Sequence, residues 1–243
     1  MDSGFYSASA GLAAQMQALE LVANNLANIG TTGFRGQRAT FRSLLAAQHI
    51  PASPVNAAIN NYGLLGGGAI DLQSGSLTAT GNPLDLAIAG KGFFVMASSA
   101  GTRYTRNGGF HRTSDGHLVN SDGDSILGEK GPIQLPNGAV AVSADGTVSV
   151  DGAVVGKLRI AEFSPNTELT AVGKALYAAP PGSELLPVSS SIRQGMVEQS
   201  NVSPVEGVVQ LIAIQRNADM MQRALALFDS QLNQTAVQDL PHV

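Results

Sequence analysis

The chain has 243 residues, enough to bury a sizeable core in one or two domains, and with 44% hydrophobic residues it is not disordered throughout. A net charge of −4 argues against a nucleic-acid partner, which needs a basic stripe. No apolar run reaches the roughly 18 residues of a membrane span, and zero cysteines exclude disulfides, thiol catalysis and cysteine-ligated metal.

Residues 12–29 carry no glycine, and Leu12, Met16, Leu19, Ala23 and Leu26 step by four, three, four and three, the spacing of an apolar helical seam. The helix is expected to stop near Asn28, because Gly30 and Gly33 follow and glycine accepts the left-handed conformation that ends helices. Residues 1–34 hold only two charged side chains, Asp2 and Glu20, whereas a solvated helix face carries Lys, Arg and Glu in number. The whole chain repeats the shortage, with 13% charged residues against about a quarter in ordinary soluble domains. Surfaces this poor in charge resist self-association weakly. Two readings fit: a helix packed on its own domain, or one packed against neighbouring subunits. Asp2 stands where a secretory signal carries positive charge, so no cleaved signal is expected.

Residues 46–80, with Pro51, Pro54 and the run Gly63-Leu64-Leu65-Gly66-Gly67-Gly68, read either as a flexible connector or as extended strands. From there the chain reads as antiparallel β. Between residues 107 and 152 lie six Asx-Gly pairs: Asn107-Gly108, Asp115-Gly116, Asp122-Gly123, Asn137-Gly138, Asp145-Gly146 and Asp151-Gly152. Such pairs suit the positive φ angles of hairpin turns. Val140 and Val142 alternate before Asp145-Gly146, and Val148 and Val150 after it, which predicts a hairpin with one buried face. Leu86, Ile88, Phe94, Leu158 and Ile160 supply further half-buried strands, and Pro132, Pro136, Pro180, Pro181 and Pro187 keep the connections from pairing. A compact β domain is expected over about residues 81–180.

Residues 208–243 are again free of glycine. Ser203-Pro204-Val205-Glu206 places a capping serine, a proline at the first helical position and a glutamate three residues after the cap, so a helix is expected from Pro204 to about Thr235. Its seam is Leu211, Ile214, Ala218, Met221, Leu225, Phe228 and Leu232, and a second apolar patch of Val205, Val208, Val209 and Ile212 widens its first turns. Two apolar stripes at the extremities, where disorder is commonest, suggest helices that are partly unfolded in the free monomer and fold on incorporation into an assembly.

Constellations that would carry chemistry fail one by one. Gly90-Lys91-Gly92 lacks the hydroxyl residue and the spacing of a phosphate loop and reads as a strand-edge turn. His111 and His117, with His49 and His242 far off, make no metal site. Asp122 and Asp124 resemble the start of a calcium loop, but the third ligand position is Ile126. Glu162 and Glu168 form no obvious acid/base pair and read as solvated carboxylates. No nucleophile elbow is present. No catalytic residue, cofactor or metal ligand is therefore assigned.

Four segments carry a family resemblance. Asn24-Asn25-Leu26-Ala27-Asn28 followed by Thr31-Thr32-Gly33-Phe34-Arg35 resembles the N-terminal signature of bacterial flagellar rod and hook proteins. In order along the chain follow Thr80-Gly81-Asn82-Pro83-Leu84-Asp85 leading to Gly92-Phe93-Phe94, then Tyr104-Thr105-Arg106-Asn107-Gly108, then Gln194-Gly195 with Glu198-Gln199-Ser200-Asn201-Val202, and finally Gln215-Arg216 in the last helix. Within the family the chain is most similar to proximal rod members, on Met1-Asp2 with Tyr6, Gly128-Glu129-Lys130-Gly131-Pro132-Ile133, Ala144-Asp145-Gly146-Thr147-Val148-Ser149 and Val155-Gly156-Lys157-Leu158. Distal rod members share the common motifs and are the alternative.

The resemblance implies a non-enzymatic building block of the flagellar basal-body rod, lying within the periplasm and exported by the flagellar type III apparatus. Its partners would be other rod proteins and copies of itself, with no nucleic acid and no membrane insertion. The implied fold is α+β: residues 1–32 with 202–243 pair as a coiled-coil layer for polymerisation, 33–80 with 181–201 form an extended connector, and 81–180 form a central antiparallel β domain. Leu12, Met16, Leu19, Leu26, Leu211, Ile214, Met221, Leu225 and Phe228 would make the subunit contacts. Two other classes compete: a secreted β-domain binding module, which predicts exposed aromatic platforms, and a wall-cleaving enzyme, which predicts a carboxylate pair in a groove.

Overall fold

A computed structural model of the chain describes residues 2–42, 64–165, 167–185 and 189–239. Pro51, Pro54 and Pro187, with His49 and His242, lie outside the described residues. The chain divides into two compact units: Met1–Leu26 with Gln37–Gly68 and Pro204–Val243, and Ala27–Gly36 with Ala69–Ser203.

The helical unit holds α1 (Asp2–Ala27) and α2 (Pro204–Asp239). α2 begins at the proline that follows Ser203, as the capping pattern predicts, and α1 ends one residue before Asn28. α1 starts earlier than its glycine-free run, because Gly4 and Gly11 are helical. Gly11 is where α2 comes closest: a Cβ there would lie 3.2 Å from Met221 Cε. A Cβ on Gly207 would lie 3.4 Å from Leu26 Cδ1, so the two helices run antiparallel. The buried stripe of α1 lies one residue away from the expected seam. Ala18 and Val22 are buried, Leu12, Leu19 and Leu26 are half-buried, and Met16 and Ala23 are exposed. Gly11, Ala18 and Val22 share one face, and such small side chains let a neighbouring helix approach more closely than the expected leucine and methionine seam would.

Of the two readings open for residues 46–80, the described part is extended. Leu64–Ile70 pairs with Gln37–Arg42 in a two-stranded sheet. Asn25 ties α1 to this sheet: its side-chain amide donates to Gln37 O at 2.7 Å and its Oδ1 accepts from Gln37 N–H at 2.8 Å.

In the β unit a ten-stranded sheet runs Thr170–Gly173, Leu176–Ala178, Gly101–Thr105, Phe93–Ser98, Ser125–Gly128, Leu118–Val119 and His111–Arg112, with Ile160–Phe163, Glu184–Leu185 and Gly131–Pro132 attached. Phe93–Ser98 is its centre, and the strand is buried on both faces. Phe94 and Met96 enter one hydrophobic core with Leu86, Ile88, Phe110 and Leu118, while Phe93 and Val95 enter a second with Tyr104, Phe163 and Tyr177. Edge-to-face ring pairs fill the second core, Phe93 with Phe163 at 5.7 Å and Tyr104 with Phe163 at 4.9 Å.

The predicted valine hairpin is present, with Val140 opposite Val150 and Val142 opposite Val148. Val148 and Val150 are buried in the first core, as alternation requires. Five of the six Asx-Gly pairs place their glycine at positive φ, Gly116, Gly123, Gly138, Gly146 and Gly152. Asn107-Gly108 is the exception. Gly108 packs flat on the chain at Leu86, where a Cβ would stand 1.5 Å from the Leu86 carbonyl oxygen, so its glycine serves close approach and makes no turn.

Two short ladders complete the unit. Leu86–Ala89 pairs with Ser191–Gln194, and Leu77–Ala79 pairs with Met196–Glu198. Glu162 departs from the solvated carboxylate expected of it. It is buried, and its Oε1 accepts from Ser189 N–H at 2.9 Å, Ser190 N–H at 2.8 Å and Ser190 Oγ at 2.6 Å. Burial alone would raise this carboxyl, but the serine donors outweigh it and hold it below the usual carboxylate range.

Candidate assembly site

α2 carries two apolar stripes. Gly207, Leu211, Ile214, Ala218, Met221 and Leu225 share the face that meets α1 through Gly207 and Met221, and all are buried or half-buried. The side chain of Phe228, expected on the same seam, lies outside the described residues. The second stripe is open. Val205 (74%), Val208 (43%), Val209 (61%), Ile212 (45%), Met220 (61%) and Leu227 (64%) are exposed. At 3.6 residues per turn they fall within an arc of about 120°, roughly opposite the α1-facing seam. Arg216 and Arg223, both exposed, lie along the middle of this arc, and Gln215 is exposed beside it. On α1 the outward side presents Ala13, Met16, Gln17, Glu20, Ala23 and Asn24, small or neutral apart from one carboxylate.

Large apolar side chains exposed together over six positions of one helix exceed the scattered apolar residues of an ordinary surface. Leu211, Ile214, Met221 and Leu225 thus lie on the face that meets α1, while the patch that widens the first turns, continued by Met220 and Leu227, is exposed.

A second cluster lies inside the β unit and gathers motif residues from distant parts of the chain. Arg35 and Arg106 flank Glu198, Arg35 Nη2 at 2.7 Å from Oε1 and Arg106 Nη1 at 3.0 Å from Oε2, all three side chains 1% exposed. Arg106 also donates to Ile88 O at 3.1 Å and Gly90 O at 2.5 Å and stacks 5.1 Å over the Phe93 ring. Arg35 donates through Nη1 to Gln73 O, and its backbone N–H reaches Tyr177 Oη at 2.9 Å. Burial, with Arg35 close by, pushes the Arg106 guanidinium down to about 10 against the pull of Glu198, so it remains a cation at neutral pH.

Sequence fixes this geometry locally. Gly33 at φ +67 turns the chain after α1, and a Cβ on it would lie 2.2 Å from Asn107 N, so only glycine admits the Arg106-Asn107 backbone. Phe34 is buried beside Arg35. Asn201 Oδ1 accepts from Gly36 N–H at 2.7 Å, and its Nδ2 donates to Asp71 O and Gln73 O. The structure therefore brings Gly33, Phe34 and Asn201 together, with Ser200 and Val202 adjoining. It does not bring in Gly81, Pro83 and Asp85, which build a separate turn held by Asn82 Nδ2 to Asp85 Oδ1 at 3.0 Å and by Gln194 Nε2 to Pro83 O at 2.8 Å. Asn24 and Asn25 lie on α1, Asn28 accepts from Thr31 Oγ1, and Gln215 and Arg216 lie on the exposed side of α2. Arg35, Arg106 and Glu198 stand in the motifs, but sequence alone does not mark them as site residues, since a charged side chain reads as surface until the fold buries it.

Among the described residues no three His, Asp or Glu side chains gather as a metal site, and no helix is long and apolar enough to cross a membrane. Every aromatic side chain whose burial is described, Phe34, Phe93, Phe94, Phe110, Phe163, Tyr104 and Tyr177, is buried. A binding module reading through aromatic platforms finds no platform there.

Three family descriptions match in chain order: "Flagella basal body rod protein" over residues 5–35, "Flagellar hook protein FlgE/F/G D1 domain" over 87–150 and "Flagellar basal body rod FlgEFG protein C-terminal" over 193–237. The chain is 34% identical to the flagellar basal-body rod protein FlgF of Caulobacter vibrioides over 99% of its length and 98% of the relative's. It is 32% identical to FlgG of Agrobacterium fabrum, covering 91% of this chain and 94% of the relative. Against FlgF of Salmonella typhimurium it is 30% identical, covering 94% and 95%. With its two terminal helices, its antiparallel β unit and its motif residues accounted for, the chain belongs to the flagellar basal-body rod protein family.

Proposed function

We propose that the chain is a proximal rod subunit that joins the shaft through its helical unit, with α1 and α2 forming part of an inner coiled-coil layer. The open apolar stripe on α2 carries this reading, because such a stripe on a charge-poor chain needs a covering surface and a rod supplies copies of this chain and other rod proteins. Contacts of this kind repeat head to tail and generate an open helical filament in place of a closed ring. The helical unit consolidates on incorporation, so that polymerisation waits for a growing end. Limited proteolysis of the purified monomer should then trim both ends and spare about 81–180; ends as resistant as the centre overturn that step.

Placement in the proximal segment rests on the opening Met1-Asp2, the segment Gly128–Ile133 and the run Ala144–Ser149. The distal position is the second reading, favoured by relatives named FlgG at 32% identity beside those named FlgF at 34%. In-cell crosslinking from Val209 decides between them: capture of distal rod protein on one side only supports the proximal position, and capture of hook-side components refutes it. Export through the flagellar type III apparatus predicts that protein recovered from periplasmic rods keeps its full 24.9 kDa mass. A shortened N-terminus counts against it.

A further inference from the structure

Of the six Asx-Gly pairs, Asn107-Gly108 and Asn137-Gly138 carry an amide where the others carry a carboxylate, and the fold treats these two in opposite ways. Asn107 is held by neutral donors: its Oδ1 accepts from Thr32 Oγ1 at 2.8 Å and from Gly109 N–H at 3.0 Å. Gly108 beside it is buried against the Leu86 carbonyl, which leaves no room above the pair. Asn137 and Gly138 are both exposed. There Arg112 donates through Nη2 to Asn137 Oδ1 while its Nη1 is anchored on Pro136 O at 3.1 Å, so a guanidinium is fixed on the amide oxygen. Gly138 sits at φ +151, and a Cβ on it would lie 2.1 Å from Asp151 Oδ2, so the angle and the space both select glycine. Asp151 Oδ1 in turn accepts Ala139 N–H at 2.9 Å and steadies the backbone that leaves Gly138. The Gly138 N–H has no acceptor among the described residues. A nitrogen with neither a covering side chain nor a hydrogen bond thus stands one residue from an amide whose oxygen is held by a cation.

We propose that Asn137 is a self-modification site, at which Gly138 N attacks the Asn137 side-chain amide and Arg112 assists by stabilising its oxygen. The bond from Gly138 N to Asn137 Cγ forms, the negative charge that develops on Oδ1 is met by the Arg112 guanidinium, and the Cγ–Nδ2 bond breaks. The Gly138 amide proton passes to solvent, and Nδ2 takes a proton from solvent and departs as ammonia. A five-membered imide is left, which water opens at either carbonyl to give aspartate or its side-chain-linked isomer. One water enters and one ammonia leaves, with no oxidant or reductant. A donor already fixed where charge develops needs no reorganisation when the charge appears, which is how it lowers the barrier. Loss of ammonia makes the change irreversible, and it sets a carboxylate against Arg112 where a neutral amide stood.

The test incubates the purified full chain in mildly alkaline buffer, folded and in urea, and follows conversion at both asparagines by peptide mass mapping and isoaspartyl methyltransferase labelling. Urea removes the fold, so both pairs then show what Asn-Gly does unaided. The folded chain should convert Asn137 about tenfold faster than the unfolded chain, less than an enclosed oxyanion site gains because this one is exposed. Asn107 should convert more slowly folded than unfolded, being enclosed. Arg112→Gln should return Asn137 to its rate in urea, with a thermal melt to show that the fold is kept. Arg112→Lys, which keeps the charge but loses the planar fork, should fall between. Conversion at Asn137 that is no faster folded than unfolded overturns the site. So does a faster conversion in Arg112→Gln, since the guanidinium would then restrain the amide instead of activating it. Should Arg112→Gln misfold, the comparison of folded and unfolded wild-type chain decides by itself.

Discussion

The β unit and the helical unit treat their side chains in opposite ways. In the β unit Phe93–Met96 is shared between two cores, and even the charges of Arg35, Arg106 and Glu198 are folded inward and paired. In the helical unit one stripe of α2 meets α1 while a second of similar size stands in water. A closed unit can be damaged only from within. An open one can be damaged at its surface, with no loss of fold, and that difference sorts the effects of substitution.

The largest effect is expected at Gly108. A Cβ placed 1.5 Å from the Leu86 carbonyl oxygen has nowhere to go, because both neighbours are backbone, so Gly108→Ala should prevent the β unit from folding, seen as loss of its cooperative thermal transition. Next comes Glu198→Ala, which strands two buried guanidiniums and should cost about 3–5 kcal/mol. For a domain of this size that is a fall in melting temperature of roughly 10 °C by calorimetry. A loss under about 1 kcal/mol would mean that water reaches the cluster and that the unit is less closed than its geometry says.

On the open side the same logic predicts a split between fold and function. Val209→Asp puts a charge on a side chain that is 61% exposed, so monomer stability should move by no more than about 0.5 kcal/mol. Its incorporation into rods should be lost, since assembly would bury that charge unpaired. Leu211→Asp, two residues on and facing α1, should instead destabilise the helical unit itself. If the two variants behave alike, the stripes are not distinct surfaces.

Features set by local chemistry are legible in sequence in either unit, and the reason is physical. Helix ends follow from local chemistry, so Ser203-Pro204 marked the start of α2 and Gly30 with Gly33 the end of α1. The valine hairpin was legible because period-two alternation and Asp145-Gly146 lie within a dozen residues. The face of α1 that meets α2 was displaced by one residue, because apolarity points to Leu12 and Met16 while close approach selects Gly11, Ala18 and Val22. The Arg35–Glu198–Arg106 cluster was not legible at all. Arg106 and Glu198 stand 92 positions apart, and nothing local distinguishes a guanidinium bound for the interior from one bound for water.

A smaller effect separates the two buried carboxylates. The folded Glu162 carboxyl titrates below its unfolded value, near about 4.3 for a free glutamate, so its stabilisation is complete above that pH and is lost as pH falls through the folded value. Urea midpoints of the wild-type chain should drop as pH falls below the ordinary glutamate range, and Glu162→Gln should lower the midpoint at neutral pH and flatten that part of the fall. Acid sensitivity that is unchanged in Glu162→Gln would place the titration elsewhere, with Glu184 as the next candidate, since its carboxyl is also held low by Tyr104 and Arg159 despite its burial.

The smallest effect, and the one that reverses sign between the units, is expected at Gly11. Both Gly11 and Gly108 are close-approach glycines, but what they approach differs. At Gly108 the obstacle is a carbonyl fixed in the sheet; at Gly11 it is the end of the Met221 side chain, 3.2 Å from Cε and 3.3 Å from Sδ of the position a Cβ would take. A thioether with three rotatable bonds yields by a few tenths of an ångström at little cost. Glycine inside a helix costs roughly 0.5–1 kcal/mol relative to alanine, so Gly11→Ala should gain most of that and raise the helical transition by a degree or two in far-ultraviolet circular dichroism. A clear loss of stability instead would mean that Met221 is held as rigidly as the Leu86 carbonyl, and that the helical unit is as closed at the α1–α2 contact as the β unit is at its centre.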